Sequence, residues 1–144
     1  MLQLDVRVVK PSYRLGEVLP GGETSTIEYK SCRPRSAAGD LEADDADGAS
    51  AVLTVKSKIG RYVSAFLNTS GGCILFGVED DGTVSGFLVN EAVRVAMVKS
   101  IDAAVSAIDP QVEVDAVSYQ FAPVSEPGGS AEHAAAVGGG PVLI

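Results

Sequence analysis

The chain has few of the residues on which common catalytic and metal sites depend. Its 144 residues include no tryptophan, two cysteines and one histidine. That histidine, His133, lies in a Gly- and Ala-rich tail, so a Ser–His or Cys–His hydrolase triad is not expected. Cys32 and Cys73 are far apart and form no zinc-binding spacing. Cys73 lies in an apolar run and is expected to pack as a small hydrophobic residue.

Long apolar runs are also absent. No stretch approaches the ~20 residues that a membrane-spanning helix needs. Residues 1–10 alternate polar and apolar side chains, which is not typical of a signal peptide. We therefore expect no membrane association and an intracellular location, in the cytoplasm or the nucleus. Hydrophobic residues make up 46% of the chain, which is enough for the core of one ordinary domain.

Positive charge is scarce, because the formal net charge is −8. This balance argues against non-specific nucleic-acid binding, which needs a cationic surface. The acids are unevenly spread, however: residues 40–47 hold five of them, which leaves 14 acids against 11 bases elsewhere. A local basic face is therefore compatible with the flanking residues Lys30, Arg33, Arg35, Lys56, Lys58 and Arg61.

The first half of the chain predicts two strands and one helix. Leu4, Val6 and Val8 alternate as in a strand, and 26–30 form a second strand with Glu28 and Lys30 on one face. Residues 33–51 are a low-complexity insert, which we interpret as a mobile loop. A helix follows from Val52, and glycines at 71–72 end it. Its apolar residues at helical spacing are Val55, Ile59, Tyr62, Val63 and Phe66.

The second half predicts a hairpin, a helix and a last strand. The apolar run 73–78, the turn 79–82 and the segment 83–87 form the hairpin. Asn90 caps a helix that Pro110 stops, with Val93, Met97, Ile101, Val105 and Ile108 at helical spacing. Val112, Val114 and Ala116 continue as a strand that extends to Tyr119 and Phe121.

These elements predict an α+β fold with a mixed, mostly antiparallel sheet packed against two main helices. The domain is expected to span residues 1–124, and residues 125–144 are expected to form a flexible Gly/Ala-rich tail. The last four residues resemble the beginning of a further strand.

Three carboxylates near strand ends are candidate metal ligands: Glu23, Glu28 and Asp80. Glu23 and Glu28 are five residues apart, so they converge only if the chain bends between them. Clustered carboxylates repel one another unless a cation lies among them, and Mg²⁺ or Mn²⁺ suits such ligands. A metal held there would activate water for phosphodiester cleavage. Lys30 shares the face of Glu28 and would contact a phosphate.

Each of these residues also has an ordinary structural interpretation. Residues 79–82 make a common hairpin turn, in which Asp serves turn geometry more often than metal binding. Lys56, Lys58 and Arg61 can form a solvated helix face. Residues 68–72 end a helix and lack the Lys-Ser/Thr ending of a phosphate-binding loop.

Three segments together resemble the Schlafen AlbA_2 family. Residues 23–30, with an acid followed five residues later by Glu-Tyr-Lys, are similar to its opening motif. Residues 62–72 resemble its central helix and glycine stop, and residues 73–86 resemble its strand–turn–strand. The order of the three segments matches, and the resemblance covers about residues 16–124.

The resemblance implies a function and a set of site residues. Some Schlafen proteins are endoribonucleases that cleave structured RNA such as transfer RNA, using three acids and a divalent cation. By motif position those acids are Glu23, Glu28 and Asp80, with Mg²⁺ or Mn²⁺ as cofactor. In such an enzyme we expect Lys30, Lys56, Lys58 and Arg61 to contact phosphates.

Other readings of the family resemblance remain open. Other members are DNA-binding or regulatory modules without catalysis, and a truncated product without activity is a third possibility. Nuclease members pair two lobes, so a homodimer or a sister subunit is the expected partner.

Overall fold

The computed structural model describes residues 5, 7–33, 49–113 and 116–126. It contains two helices and four short strands, as expected for an α+β fold. In chain order the elements are β1 (Tyr13–Arg14), β2 (Ile27–Lys30), α1 (Ala49–Leu67), β3 (Cys73–Phe76), α2 (Glu91–Ser106) and β4 (Val124–Ser125).

Both strand pairs are parallel. β2 pairs with β3, with Ile27 opposite Cys73 and Lys30 opposite Phe76, and β1 pairs with β4. Antiparallel pairing occurs as isolated bridges, one of them between Val78 and Val84. The prediction of a mostly antiparallel sheet is therefore wrong for the pairs that the structure describes.

The β2–β3 pair is covered on both faces, which explains why β3 is apolar throughout. Ile27, Tyr29, Cys73 and Leu75 face a cluster that contains β1 and β4. Ile74 and Phe76 face a second cluster, to which α1 and α2 contribute. A strand buried on two faces has no need of alternating polar residues. The sheet is the middle layer of the domain.

The helix α1 forms where the apolar spacing predicts it. Ala51, Val55, Ile59 and Val63 are buried on its inner face. The helix begins at Ala49, three residues before the predicted start, because the small Ala51 side chain belongs to the core. At its end the Gly71 N–H donates to the Phe66 carbonyl at 3.0 Å, and Gly71 has a φ of +90°. This left-handed residue is the predicted glycine stop.

The helix α2 is capped and buried as predicted. The Asn90 side chain accepts a hydrogen bond from the Val93 N–H at 2.9 Å. Val93, Met97 and Ile101 are buried against α1 and β3. The helix ends at Ser106, and Pro110 follows within four residues.

Several predicted strands differ from the structure. Val8 lies in a turn, because the N–H groups of Val8 and Val9 both donate to the Asp5 carbonyl, while Leu4 and Val6 lie outside the described residues. The segment 83–87 pairs only through Thr83 and Val84, because the Gly77 carbonyl accepts from both Ser85 and Gly86 and so ends the ladder.

The predicted strand from Val112 is also not observed. Residues 112, 113 and 116–120 are not in a strand, and Val114 lies outside the described residues. Val117 and Phe121 instead bury apolar surface against the helices. The strand that does form, β4, follows immediately and pairs with the unpredicted β1.

Two predicted segments lie largely outside the residues that the structure describes. Residues 34–48 of the insert and residues 127–144 of the tail, with His133, are not among the described residues. The domain boundary at residue 124 stays a prediction. Neither described helix combines the length and the apolar character that crossing a bilayer requires.

Alanine substitutions at two glycines are expected to change the stability of the fold in opposite directions. Gly77 has a φ of +91°, and a Cβ added there would lie 3.0 Å from the Phe87 ring and 3.1 Å from the Gly86 Cα. We expect Gly77→Ala to lower the free energy of unfolding by about 2–4 kcal/mol, through backbone strain and crowding. A Cβ on Gly60, inside α1, would meet Ala104 at an ordinary 3.8 Å. Gly60→Ala should therefore raise the free energy of unfolding by up to about 1 kcal/mol.

Urea unfolding followed by circular dichroism measures both variants. A Gly77→Ala protein as stable as the parent would show that the β3 end is not held as described.

Two buried tyrosines give a second matched pair. The Tyr13 hydroxyl donates to the Val8 carbonyl at 2.7 Å and accepts from the Lys10 N–H at 3.0 Å. The Tyr29 hydroxyl is buried without a hydrogen-bond partner in the described part of the chain. We expect Tyr13→Phe to destabilise by about 1–3 kcal/mol, because it leaves a buried carbonyl unpaired. Tyr29→Phe should leave stability unchanged or raise it by up to about 2 kcal/mol.

The same unfolding measurement ranks the two phenylalanine variants. An equal loss of stability in both variants would contradict the finding that the Tyr29 hydroxyl has no hydrogen-bond partner among the described residues.

Candidate functional site

The chain bends sharply between Glu23 and Glu28, as convergence of the two acids requires. Thr24 and Ile27 exchange backbone hydrogen bonds of 2.9 and 3.4 Å across a tight turn. After this reversal the Glu23 carboxylate accepts a hydrogen bond from the Tyr29 N–H at 3.0 Å. Glu23 therefore lies beside the peptide that joins Glu28 to Tyr29.

The position of that bond places Glu23 at the outer edge of β2. The carbonyl of Thr26 accepts a bond from the N–H of Cys73 in β3, and the carbonyl of Lys30 accepts one from Gly77, which directly follows β3. The peptide groups of even-numbered residues in β2 therefore point toward β3. The Tyr29 N–H points the other way, toward the edge of β2 that pairs with no other strand among the described residues. Glu23 covers this edge, where an exposed N–H would otherwise invite pairing with another strand.

Glu28 and Lys30 project from the helix-facing side of the same strand. Both are half-buried, and their side chains form an ion pair. The Lys30 ammonium also lies 4.9 Å from the centre of the Tyr62 ring on α1. Burial lowers the pKa of Lys30, but contacts with Glu28 and Tyr62 outweigh burial and raise it above its ordinary value. Lys30 is thus charged at neutral pH.

The third predicted acid, Asp80, lies in the turn after β3 and is exposed. Its neighbour Glu79 is closer to β2, because the Ser31 hydroxyl donates to the Glu79 carboxylate at 2.9 Å. Asp81 serves the turn itself by accepting the Thr83 N–H at 2.9 Å. The turn sequence therefore has three acids with three different environments.

These carboxylates do not assemble into a metal centre. Among the described residues no group of three His, Cys, Asp or Glu side chains lies close enough to hold an ion. The structure brings Glu23 close to the backbone next to Glu28, but these two acids do not form such a group with Asp80. The residues as placed do not fit a three-carboxylate ion site, and the assignment of Glu23, Glu28 and Asp80 as metal ligands stays a prediction.

The predicted phosphate contacts divide between two sides of α1. The guanidinium of Arg61 lies 5.6 Å from the centre of the Tyr62 ring, the same ring that Lys30 contacts. Lys58 is one turn before Tyr62 and so lies on that side of the helix. Lys56 is two residues before Lys58, about 200° around the helix at 3.6 residues per turn. Lys30, Lys58 and Arg61, grouped around Tyr62, are called the basic flank below.

Two residues of this site were not singled out from the sequence. Tyr62 was assigned to the core by helical spacing, yet its ring is only half-buried and joins β2 to α1. Its place four residues after Lys58 and next to Arg61 was the available signal. Glu79 was interpreted as a turn residue, and nothing in its spacing distinguishes it from Asp80.

The comparison with known families agrees with these segments. The model of a family described as Schlafen, AlbA_2 matches residues 23–125. This range is more than half of the chain, and it runs from Glu23 through both helices to β4. The resemblance seen in the sequence is confirmed, and the chain belongs to the Schlafen AlbA_2 family.

Proposed function

We propose that this domain binds nucleic acid, with RNA as the preferred ligand and structured RNA such as transfer RNA as the substrate class. The observation that supports the proposal is the meeting of two cations, Lys30 from β2 and Arg61 from α1, on one half-buried tyrosine ring. Cations held beside an aromatic ring suit a phosphate backbone next to a base or a sugar.

The charges of the basic flank are not equally available. Lys30 is already paired with Glu28. Within the described ranges neither Lys58 nor Arg61 forms a salt bridge with a carboxylate. Arg61 is exposed, and its planar guanidinium can donate two parallel hydrogen bonds to one phosphate. Arg61 and Lys58 should therefore supply more of the affinity than Lys30.

Substitutions on the two sides of α1 test this binding surface. We expect Arg61→Gln and Lys58→Gln each to weaken RNA binding about threefold to tenfold, because each removes a phosphate contact. Each should also lower the slope of log affinity against log salt by about 0.7 to 0.9. Fluorescence anisotropy with a labelled transfer RNA, over a range of salt, measures both quantities.

Lys56→Gln is the matched control, since it removes the same charge from another side of the same helix. An equal loss of affinity in all three variants would show that overall charge, and not the basic flank, determines binding.

We further propose that the domain cleaves RNA with Mg²⁺ or Mn²⁺, and that Glu23, Glu28 and Asp80 become the ligands only when cation binding draws their carboxylates together. The specific support is the turn at residues 24–27, which returns Glu23 to the strand that carries Glu28. Asp80 follows the neighbouring strand. A second lobe, from a homodimer or a sister subunit, is proposed as the opposite wall of the RNA site.

Conservative substitutions separate cleavage from folding. Glu28→Gln and Asp80→Asn remove a carboxylate charge while keeping the side-chain shape, and Glu23→Gln keeps an oxygen for the Tyr29 N–H. We expect all three to abolish Mn²⁺-dependent cleavage of transfer RNA, measured on denaturing gels with and without chelator. Asp81→Asn, in the same turn, is the control and should cleave normally.

If the parent protein binds RNA without any metal-dependent product, the domain is a non-catalytic nucleic-acid-binding or regulatory module. Cleavage that survives in the Glu28→Gln, Asp80→Asn double variant would remove these acids from the reaction.

A further inference from the structure

A polar cavity of about 440 Å³ lies on the β1–β4 layer of the domain. Its walls are Lys10, Ser12, Tyr13, Arg14, Glu17 and Ser125. Five of these residues precede position 23, where the family match begins. The cavity is therefore built mainly from a segment outside the matched region.

The strand pairing forms one wall of this cavity. Parallel pairing of β1 with β4 sets Arg14 directly beside Ser125, and the Leu15 N–H extends the ladder to the Ser125 carbonyl at 2.8 Å. The Ser125 hydroxyl lies 3.4 Å from the Tyr13 carbonyl. An arginine and a hydroxyl are thus held side by side by backbone hydrogen bonds.

The opposite wall is a lysine in a fixed position. The Lys10 ammonium lies 2.6 Å from one Glu17 carboxylate oxygen and 5.0 Å from the centre of the Tyr13 ring. The other Glu17 oxygen accepts the Arg14 N–H at 2.7 Å. Lys10 and Glu17 are each only about a quarter exposed, so the pair is less screened than a surface ion pair.

The remaining charge in the cavity belongs to Arg14. Its side chain is exposed, and in the described residues no carboxylate forms a salt bridge with its guanidinium. Two cations against one acid leave the cavity with a net positive charge. Arginine donates two parallel hydrogen bonds to one phosphate, and the hydroxyl of Ser12 adds a neutral donor.

We propose that this cavity binds a phosphate group, either of a free nucleotide or of an RNA chain, with Arg14 and Lys10 as the charged contacts. The Ser12 hydroxyl contributes a further donor. Glu17 orients Lys10 and, as the one acid among the described residues of the cavity wall, limits how tightly an anion binds.

The ionisation of Glu17 is consistent with this role. Burial raises the pKa of Glu17, but hydrogen bonds from Lys10 and the Arg14 N–H outweigh it and hold the pKa below its ordinary value. Glu17 is therefore ionised at neutral pH, where it repels an anion that Arg14 and Lys10 attract.

This cavity is separate from the basic flank. β1 and β4 cover one face of the β2–β3 sheet, and α1 covers the other. A phosphate in the cavity and a phosphate on the basic flank are thus on opposite sides of the middle layer. Loss of one site should leave the other intact.

Titration of the ¹⁵N-labelled chain with inorganic phosphate tests the site by amide chemical shifts. Shifts are expected at Lys10, Arg14 and Ser125. Arg14→Gln should weaken binding about tenfold, because it removes a charge-assisted contact. Glu17→Gln should tighten binding severalfold, because it removes the repelling charge while its amide oxygen still accepts the Arg14 N–H.

Lys99→Gln is the matched control, since it removes an exposed positive charge from α2 in another layer. It should bind phosphate like the parent. Unchanged affinity in both Arg14→Gln and Glu17→Gln would overturn the proposal and leave Lys10 and Glu17 as a purely structural pair. Shifts confined to α1 would also overturn it.

Two further ligands distinguish the sources of the phosphate. A ribonucleoside 5′-monophosphate that binds more tightly than an oligonucleotide identifies a nucleotide site. An RNA oligonucleotide that binds more tightly, and loses affinity in Arg14→Gln, identifies a backbone contact. An Arg61→Gln protein that keeps full phosphate binding in the cavity confirms that the cavity is independent of the proposed RNA surface.

Discussion

Parallel pairing between Ile27–Lys30 and Cys73–Phe76 determines where every candidate functional residue lies. Both faces of this pair are covered, so a shift of one residue would move Ile74 and Phe76 out of the helix cluster and Cys73 and Leu75 into it. The same register places Glu28 beside Ile74 and Lys30 beside Phe76. Two charged residues thus lie on an otherwise apolar face, at the margin that α1 leaves open.

That placement explains the pairings seen around β2. Charged groups near a core are costly unless they are paired, and Glu28 and Lys30 neutralise each other while the Tyr62 ring covers the ammonium. Glu23, at the edge of the strand, also has a partner, because its carboxylate accepts a hydrogen bond from the Tyr29 N–H. Each acid of the opening motif therefore has its own protein partner. Any cation that bound Glu28 would compete with Lys30, and the released ammonium would become available to a phosphate.

Sequence periodicity correctly predicted the elements whose buried residues follow a pattern within one short segment of the chain. Both helices follow from apolar side chains at helical spacing, and β3 follows from an unbroken apolar run between glycine and a turn. The strands β1 and β4 are two residues each, too short to leave a pattern, and they exist because Tyr13 and Val124 meet across 111 residues of chain. The expectation of antiparallel pairing failed for a similar reason. Whether two strands pair parallel or antiparallel depends on which distant strand lies alongside. The predicted hairpin of residues 73–87, which suggested antiparallel pairing, ends its ladder at Gly77.

In the candidate site, too, features set by local sequence were predictable and features set by distant contacts were not. The bend between Glu23 and Glu28 was predictable, since two acids on opposite faces of a strand converge only through a turn, and the turn residues were present. The position of Asp80 was not, because three consecutive acids in a turn point in directions that only the tertiary structure defines. For the basic residues, the sequence-based prediction grouped Lys56, Lys58 and Arg61 together, although helical geometry would have separated Lys56 from the other two. The contact of Lys30 with Tyr62 then selected which side of the helix faces β2.

An acidic chain can bind a polyanion only if its cations act locally, and the structure meets that condition. Charges on a protein surface are screened over about 8 Å at physiological salt, so distant acids weigh less than the nearest neighbours. Lys58 and Arg61 have no carboxylate partner in the described part of the chain, whereas Glu28 is engaged by Lys30 and Glu23 by the Tyr29 N–H. If the domain binds RNA as proposed, the net charge of −8 would slow encounter without preventing contact, and it would suppress the non-specific binding that a uniformly basic surface would produce. Selectivity on the basic flank would then arise from the placement of Lys58 and Arg61 beside Tyr62 instead of bulk attraction.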